Sequence, residues 1–564
     1  MRSMHMRKEK IEMWVCRLGI LSLLIIITGI FSFDFFLHQG EPATFDGPTH
    51  LANIAHFHDS LSQGEFPVRW TDGFANYGLP LGLMAQQTTS YLGGFLTFIT
   101  HSVVYSYVWV VIISTFLSAF MMFWFLRLWF DRLSSSIGTI LFVFAPYRIL
   151  NIYIRGALPE YAVPACILCI LVAFTYLYKS QYRKGSFLMV VGTTSLLLTH
   201  PMMAVVSLFI LVPYIALILL LENNIQKRVK TVFCIILGGL IGIGLASYYV
   251  LPLLLENKYF YYGLSPNHFS SNQWLSFEHI FMERWNYFYK GDIFTRGHIL
   301  QLGVLEVLIL ISSLFVLIYQ KAKKVSIHPL FIFGLISSIV MIFFMTQWSV
   351  FLYSSISLLG SFQHQWRILT VFQLIPPILF LVLVSKLQYR LRVIIFLSLI
   401  IVLAVLRFPQ LYGKNYTVFP ESYYYFQKEN LHGVVMNTIW TGKAEDYPVQ
   451  KSKPQFIEGK GSIVQKIVKN SKREYRVNAE TPARLVDYTF YFPGWRVWID
   501  KQPTEIEFQD PNYRGVITYR VSKGVHEVVI EFGYTKWQLL GLGLSTMTVF
   551  SLLIYGVVRV IKKS

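Results

Sequence analysis

The stretch "TVFCIILGGLIGIGLASYYVLPLLL" occupies residues 231–255 and contains no charged side chain. As a helix it is long enough to cross a hydrocarbon core of roughly 30 Å. "LGILSLLIIITGIFSF" at 18–33 reads the same way. Such runs recur along all 564 residues, which are 54% hydrophobic and 14% charged with a mean hydropathy of +0.50. A soluble fold of this size could not bury that much apolar surface. The runs do not alternate polar with apolar residues, which excludes a strand barrel. The expected fold class is an α-helical polytopic membrane protein. The first run is long and no small-residue cleavage site follows it, so it reads as a span and not as a signal peptide.

Lysine and arginine give the direction of threading. The formal charge is 49 − 30 = +19, and the basic residues sit in small clusters between apolar runs. That is the positive-inside pattern, not the footprint of a nucleic-acid-binding protein. Arg7, Lys8 and Lys10 place the N-terminus in the cytoplasm. About 12 spans then bring every later cluster to the same side, at about 11–33, 103–126, 136–150, 161–178, 186–200, 202–221, 231–255, 299–319, 329–347, 369–385, 393–407 and 536–558. The C-terminus with Arg559, Lys562 and Lys563 is again cytoplasmic. "LGLMAQQTTSYLGGFLTFIT" (81–100) is left over and reads as a re-entrant or interfacial helix, since a further span would invert every later cluster. Cys16, Cys166, Cys169 and Cys234 all lie in apolar runs, where packing is the expected role even for the CxxC spacing of Cys166 and Cys169.

This threading makes 1–407 a transmembrane domain with exterior loops at 34–102, 147–160 and 256–298. Residues 408–535 form an extracytoplasmic region, and 536–564 a final helix with a basic tail. Within the exterior region, "EYRVNAE", "RLVDYTFYF", "GWRVWID", "GVITYRV" and "HEVVIEF" are short, β-branched and aromatic, and turn residues separate them. A small β-sandwich at about 470–533, just before the last span, is expected.

The ionisable residues outside the basic clusters collect on the exterior side: Asp46, His50, His56, His58, Asp59, Arg69 and Asp72 in the first loop, Arg148, Arg155 and Glu160 in the second, then His200, Glu256, His364 and Arg367. Charges at span ends need partners or water, so a shared polar cavity is expected. Arginines bind phosphate oxygens bidentately. A sugar on a lipid phosphate already carries a good leaving group, so one carboxylate suffices as base for an acceptor hydroxyl. "FDGPTH" also reads as a helix start, with Asp46 as N-cap and Pro48 in the first turn; the two roles are compatible. The histidines match no standard zinc spacing, so no metal site is assigned. Arg69 with Trp70, and Tyr147 with Arg148, also fit interfacial anchors. Arg155 with Glu160 fits an ion pair, and Glu256 fits a cap or a partner of Lys258.

"FDGPTHLANIAHFHDSLSQGEFPVRW" (45–70), "YGLPLG", "YRILNIYIRGALPEYA" (147–162), "LLLTHP", "LPLLLEN", "QHQWRIL" (363–369) and "FYFPGWRVWIDKQ…SKGVHEVVIEF" together resemble the YfhO-like bacterial membrane proteins. These belong to the polyprenyl-phosphate-dependent glycosyltransferases of the GT-C fold. The resemblance covers nearly the whole chain. It departs at Lys501, where a glycine is expected in the hairpin, and at His364 and Gln365, where a Phe-Pro pair is expected. It implies a bacterial cell-membrane enzyme of GT-C-like fold that transfers sugar with inversion from an undecaprenyl-phosphate-sugar to a cell-envelope polymer such as a teichoic acid. A separate cytoplasmic glycosyltransferase and a flippase would supply the donor. Asp46 matches the catalytic carboxylate. Arg155 and Arg367, then Arg69 and Arg148, are the expected donor-phosphate ligands; His50, Glu160, His200, Glu256 and Trp366 are expected around the substrate. No cofactor is implied with certainty, although a divalent cation is compatible with the chemistry. A lipid or polysaccharide transporter or flippase is a competing reading, against which stand the lack of repeated halves and the scarcity of mid-span charge. A non-catalytic envelope-polymer scaffold is another, in which aromatic residues of the sandwich would hold the polymer.

Overall fold

The computed structural model describes residues 2–73, 77–260, 274–276, 280, 300–360, 362, 364–425, 438–441, 447 and 454–561, with side chains from residue 17. Most of the expected loop 256–298, and parts of 408–535, lie outside the described residues. In chain order the main helices are α1 (Arg2–Ser32), α2 (Gly47–Ser62), α3 (Gln87–Thr100), α4 (Val103–Arg127), α5 (Arg132–Val143), α6 (Pro146–Tyr153), α7 (Leu158–Tyr178), α8 (Tyr182–Thr199), α9 (Pro201–Leu221), α10 (Ile225–Glu256), α11 (Val304–Ala322), α12 (Pro329–Met345), α13 (Gln365–Val384), α14 (Tyr389–Arg407) and α15 (Lys536–Ile561).

A helix stands at each of the twelve expected span positions. Among the described residues, eight are long and apolar enough to cross a membrane, and ten are if each of two bent pairs counts as one span. Against the expected count of about twelve, the described residues supply eight to ten by length and composition. In α1 the side chains are described only from Arg17, and Arg17–Ser32 is an apolar helical stretch. In α8 the charges of Arg183 and Lys184 dilute the apolar run. Residues 81–100 form a short turn of helix and the 14-residue α3, too short to cross.

The chain divides into two compact units. The first comprises Met1–Gly47, Val108–Gly242 and Asn267–Val418; the second comprises Pro48–Tyr107, Ile243–Pro266 and Phe419–Ser564.

In the first unit α7 and α13 are the most enclosed spans. Helix α8 lies close along α7 because Gly192 leaves room: a Cβ there would stand 2.6 Å from Ile170. Cys166 and Cys169 are buried on α7 beside Thr199 and the Leu188 carbonyl of α8, in packing positions. Helices α5 and α6 meet at a 41° bend. Pro146 causes it, since the residue before a proline is driven out of the helical region, and Ala145 has ψ 140. Strand β1 (Glu41–Pro42) pairs antiparallel with β2 (Tyr416–Thr417). The Asp34 carboxylate accepts from the Gly413 N–H at 2.7 Å and from the Tyr416 hydroxyl at 2.5 Å, which ties the end of α1 to the segment after α14.

The second unit holds the β-sandwich. Its strands are β3 (Gln455–Glu458), β4 (Gly461–Lys469), β5 (Lys472–Ala479), β6 (Ala483–Phe490), β7 (Trp495–Ile499), β8 (Gln502–Thr504), β9 (Val516–Val521) and β10 (Gly524–Phe532). They form an antiparallel five-stranded sheet β4-β5-β10-β7-β8 and a three-stranded sheet β3-β6-β9. Alternate residues point inward, as the strand period demands. Tyr475, Val477, Val497, Val528 and Ile530 of one sheet meet Leu485, Ile517 and Tyr519 of the other. Trp70 and Leu83, from the segment before α3, complete this core; Trp70 packs edge-on against Trp495 at 5.0 Å. Arg473 is fully buried between Asp72 and Asp487 and stacks over Trp495. Burial opposes its charge, but the two carboxylates more than offset that and its pKa is raised.

Candidate functional site

Residues 147–155 place the first part of the site. Positions 147 and 151 are four apart and share one face of α6, and Arg155 follows just past its C-terminal end. The Arg155 NH1 donates to Asn151 Oδ1 at 2.7 Å and to the Tyr147 hydroxyl at 3.1 Å. The chain then turns sharply at Gly156, with φ +68. A Cβ there would sit 2.4 Å from Thr44 Oγ1 and 2.7 Å from the Gly47 N, so only glycine lets segment 44–47 approach. Two backbone bonds fix that approach, Phe45 N–H to the Ile154 carbonyl at 3.3 Å and Asp46 N–H to the Arg155 carbonyl at 2.6 Å. They deliver the Asp46 side chain, 46% exposed, to Arg155 NH2 at 3.2 Å. Asp46 immediately precedes α2, the position expected of it.

Glu160, in the first turn of α7, is the centre of the cluster. Its Oε1 accepts from the Tyr147 hydroxyl at 2.8 Å and from Thr370 Oγ1 at 2.7 Å. Its Oε2 faces Arg155 NH1 at 3.0 Å and Arg367 Nε at 3.6 Å. At 2% exposure this carboxylate meets no solvent, so it orients the two guanidiniums and does not present itself to a substrate. His200, between α8 and α9, lies within electrostatic range of it.

The start of α13 adds the far wall. Trp366 is buried, and its ring carries the Arg155 guanidinium 4.5 Å from the centroid. His364 stacks on the same indole at 5.0 Å and 10°. Burial first, then the Arg367 and Arg155 charges, push its pKa down to about 3 against the pull of Glu160, so its imidazole is neutral at physiological pH. Arg155 keeps its charge: burial works against it, and Glu160 and Asp46 more than compensate, which leaves its pKa raised.

The structure thus brings Asp46, Arg155, Glu160, Trp366 and Arg367 together in the first unit, with His200 nearby. It does not bring in Arg148. One residue along from Tyr147, that side chain points off the shared face and is fully buried between the rings of Phe142 (4.6 Å) and Tyr161 (4.4 Å). Arg155 and Arg367 keep 10% and 15% exposure, enough for a phosphate oxygen to reach an edge; Arg148 has none. Three candidates lie in the second unit. Arg69 donates to the Phe532 carbonyl at 2.7 Å and covers the Tyr534 ring at 4.2 Å, so its guanidinium braces the end of β10. Glu256 accepts from Thr535 Oγ1 and from Gln538 Nε2 at 3.4 Å, joining α10 to the start of α15. His50 is half-buried one turn into α2. Among the described residues no three of His, Cys, Asp or Glu form a group that could hold a metal ion.

Tyr147, Asn151 and Thr370 were not anticipated as site residues. They are neutral, so a search for charge passes over them. The signal that could have found Tyr147 and Asn151 is the spacing 147, 151, 155; no local pattern points to Thr370, 210 residues from Glu160.

A family model described as a 6-pyruvoyl-tetrahydropterin synthase related domain, membrane protein, matches residues 89–412, and the chain belongs to that family. The matched segment contains Arg155, Glu160 and Arg367 and begins after Asp46. No curated protein matches. Among solved structures the chain is similar to the oligosaccharyltransferase AglB from Archaeoglobus fulgidus in complex with an inhibitory peptide and a dolichol-phosphate, at 13% identity and a TM-score of 0.40 over 73% of this chain and 56% of that one. It is similar to the apo Archaeoglobus fulgidus oligosaccharyltransferase at 14% identity and a TM-score of 0.40, over 73% and 60%. The chain spans less than two thirds of either protein, and a likeness of this extent carries no assignment of activity.

Proposed function

We propose that this membrane protein is a glycosyltransferase of the YfhO-like, GT-C type. It transfers a sugar from a polyprenyl-phosphate-linked donor to a cell-envelope acceptor, such as a teichoic acid, on the outer face of a bacterial membrane. The observation that carries the reading is the half-exposed Asp46 carboxylate at 3.2 Å from Arg155, beside a second arginine, both guanidiniums being oriented by the buried Glu160. Asp46 takes the proton of the acceptor hydroxyl. The acceptor oxygen bonds to the anomeric carbon from the face opposite the leaving group. The bond from that carbon to the phosphate oxygen breaks, and its electron pair stays on the polyprenyl phosphate, which Arg155 and Arg367 stabilise. Inversion follows from the single displacement. Placing the basic clusters inside puts both termini in the cytoplasm, so donor synthesis and flipping fall to separate partners.

The test supplies a panel of undecaprenyl-phosphate-sugars and crude envelope polymer to wild type and Asp46→Asn, both in lipid nanodiscs. Transfer by wild type that drops at least 100-fold in the folded variant is expected, since removing a general base costs about that much. Equal rates would mean that the base lies elsewhere. Lack of transfer by wild type over the full panel would favour a transporter or a scaffold.

A further inference from the structure

The Arg155 guanidinium has an occupied side and an open side. Its NH1 is committed to Glu160 at 3.0 Å, to Asn151 at 2.7 Å and to Tyr147 at 3.1 Å. Its flat face lies on Trp366. NH2 faces the half-exposed side, and there it meets Asp46 Oδ2 at 3.2 Å. A phosphate that reaches Arg155 beside the exposed Asp46 carboxylate comes to the nitrogen that Asp46 already holds. Two anions on one nitrogen repel each other, and the donor's phosphodiester, with one negative charge like the carboxylate, can engage Arg367 as well.

We propose that donor phosphate and Asp46 compete for Arg155 NH2, so that Asp46 is held in an ion pair until a polyprenyl phosphate displaces it. The inference rests on the transferase reading and adds a control to it. Without donor, the carboxylate is engaged with Arg155. With donor seated, the carboxylate swings free beside the anomeric carbon, and the acceptor is activated only when there is a sugar to receive. Binding is then ordered, donor first.

The experiment measures binding of polyprenyl phosphate, without sugar or acceptor, to the full chain in nanodiscs. Wild type, Asp46→Asn and Asp46→Ala are compared, each checked for an unchanged melting temperature. Two variants guard against a fold defect in one. Removing the competitor should tighten binding about fivefold in both, the size expected of a half-exposed ion pair. Unchanged or weaker binding in both variants would overturn the competition and leave the transferase reading standing. Failure of wild type and both variants to bind any polyprenyl phosphate would overturn the donor reading and the competition together. Wild-type binding that weakens on Arg155→Lys, with both Asp46 variants tighter, supports the shared nitrogen.

Discussion

Glu160→Gln should be a strongly damaging single-atom change in the first unit. It keeps the shape of the side chain and removes one charge from a site that is 2% exposed. With an effective dielectric constant near 20, a charge pair at the 3.0 Å of Arg155 gains about 5 kcal/mol, and one at the 3.6 Å of Arg367 a little less. Desolvation of the three groups offsets much of this. What the mutation leaves is two enclosed guanidiniums short of one counter-charge, and breaking a buried pair in this way costs about 3–5 kcal/mol. The glutamine amide also turns a donor toward donors, Tyr147 and Thr370 at one position or Arg155 and Arg367 at the other. Tyr147→Phe, by contrast, removes one neutral partner and should cost about 1 kcal/mol. Equilibrium unfolding by SDS in mixed micelles measures both variants against wild type. A Glu160→Gln cost no larger than that of Tyr147→Phe would refute the view that Glu160 organises the two arginines.

Two further changes test the second unit. Burial, opposed by Arg69 at 3.5 Å, raises the Glu65 carboxyl from 4.5 to about 7. The folded state then holds a proton that the unfolded chain releases, so stability falls as pH rises from about 4.5 to 7. Glu65→Gln should gain on wild type across that window, by up to about 3 kcal/mol, as seen in unfolding midpoints; parallel pH profiles would count against it. His56, whose pKa burial lowers to about 4, slopes the other way in both proteins and cancels in the difference. The β7–β8 hairpin turns on Asp500 and Lys501, both at positive φ. A side chain there costs about 1–2 kcal/mol and a glycine's extra freedom about 0.5–1, so Lys501→Gly should raise stability by roughly 0.5 kcal/mol in a thermal melt. Asp500 should stay, because it accepts from the Glu527 N–H at 2.9 Å and pairs with His526 at 2.7 Å.

The spans were legible because a long uncharged apolar run has little use outside a membrane, and the errors fell where that signal is weakest. The run in α8 is diluted by charge. The sandwich strands were legible from alternation, but β3 and β4 begin earlier than expected, at Gln455 and Gly461. The burial pattern of β4 explains the miss: it is exposed on both faces and so shows no period. At the site, charge and leaflet picked out Asp46, Arg155, Glu160 and Arg367, but charge alone also gathered Arg69, Arg148 and Glu256. What separates Arg155 from Arg148 is helical phase, a property of positions 147, 151 and 155 taken together. What separates Arg69 and Glu256 is their partners Phe532 and Thr535, several hundred residues distant, which no local pattern reveals.

The buried bond between Asp72 and Arg473 joins residues 401 apart in sequence. Translation at about 5–20 residues per second leaves some 20–80 s between the emergence of one partner and the other. Through that interval, with the exterior topology proposed above, the segment around Trp70 has crossed the membrane while the core that will cover it does not yet exist. An uncovered tryptophan invites wrong contacts, so the early loop is the part of the nascent chain most in need of a holding partner. The sandwich, in turn, is a domain by architecture but not by inheritance of sequence. Cut out at 454–535 it would lack Trp70, Leu83 and Asp72, and would have to be supplied with them before it could fold.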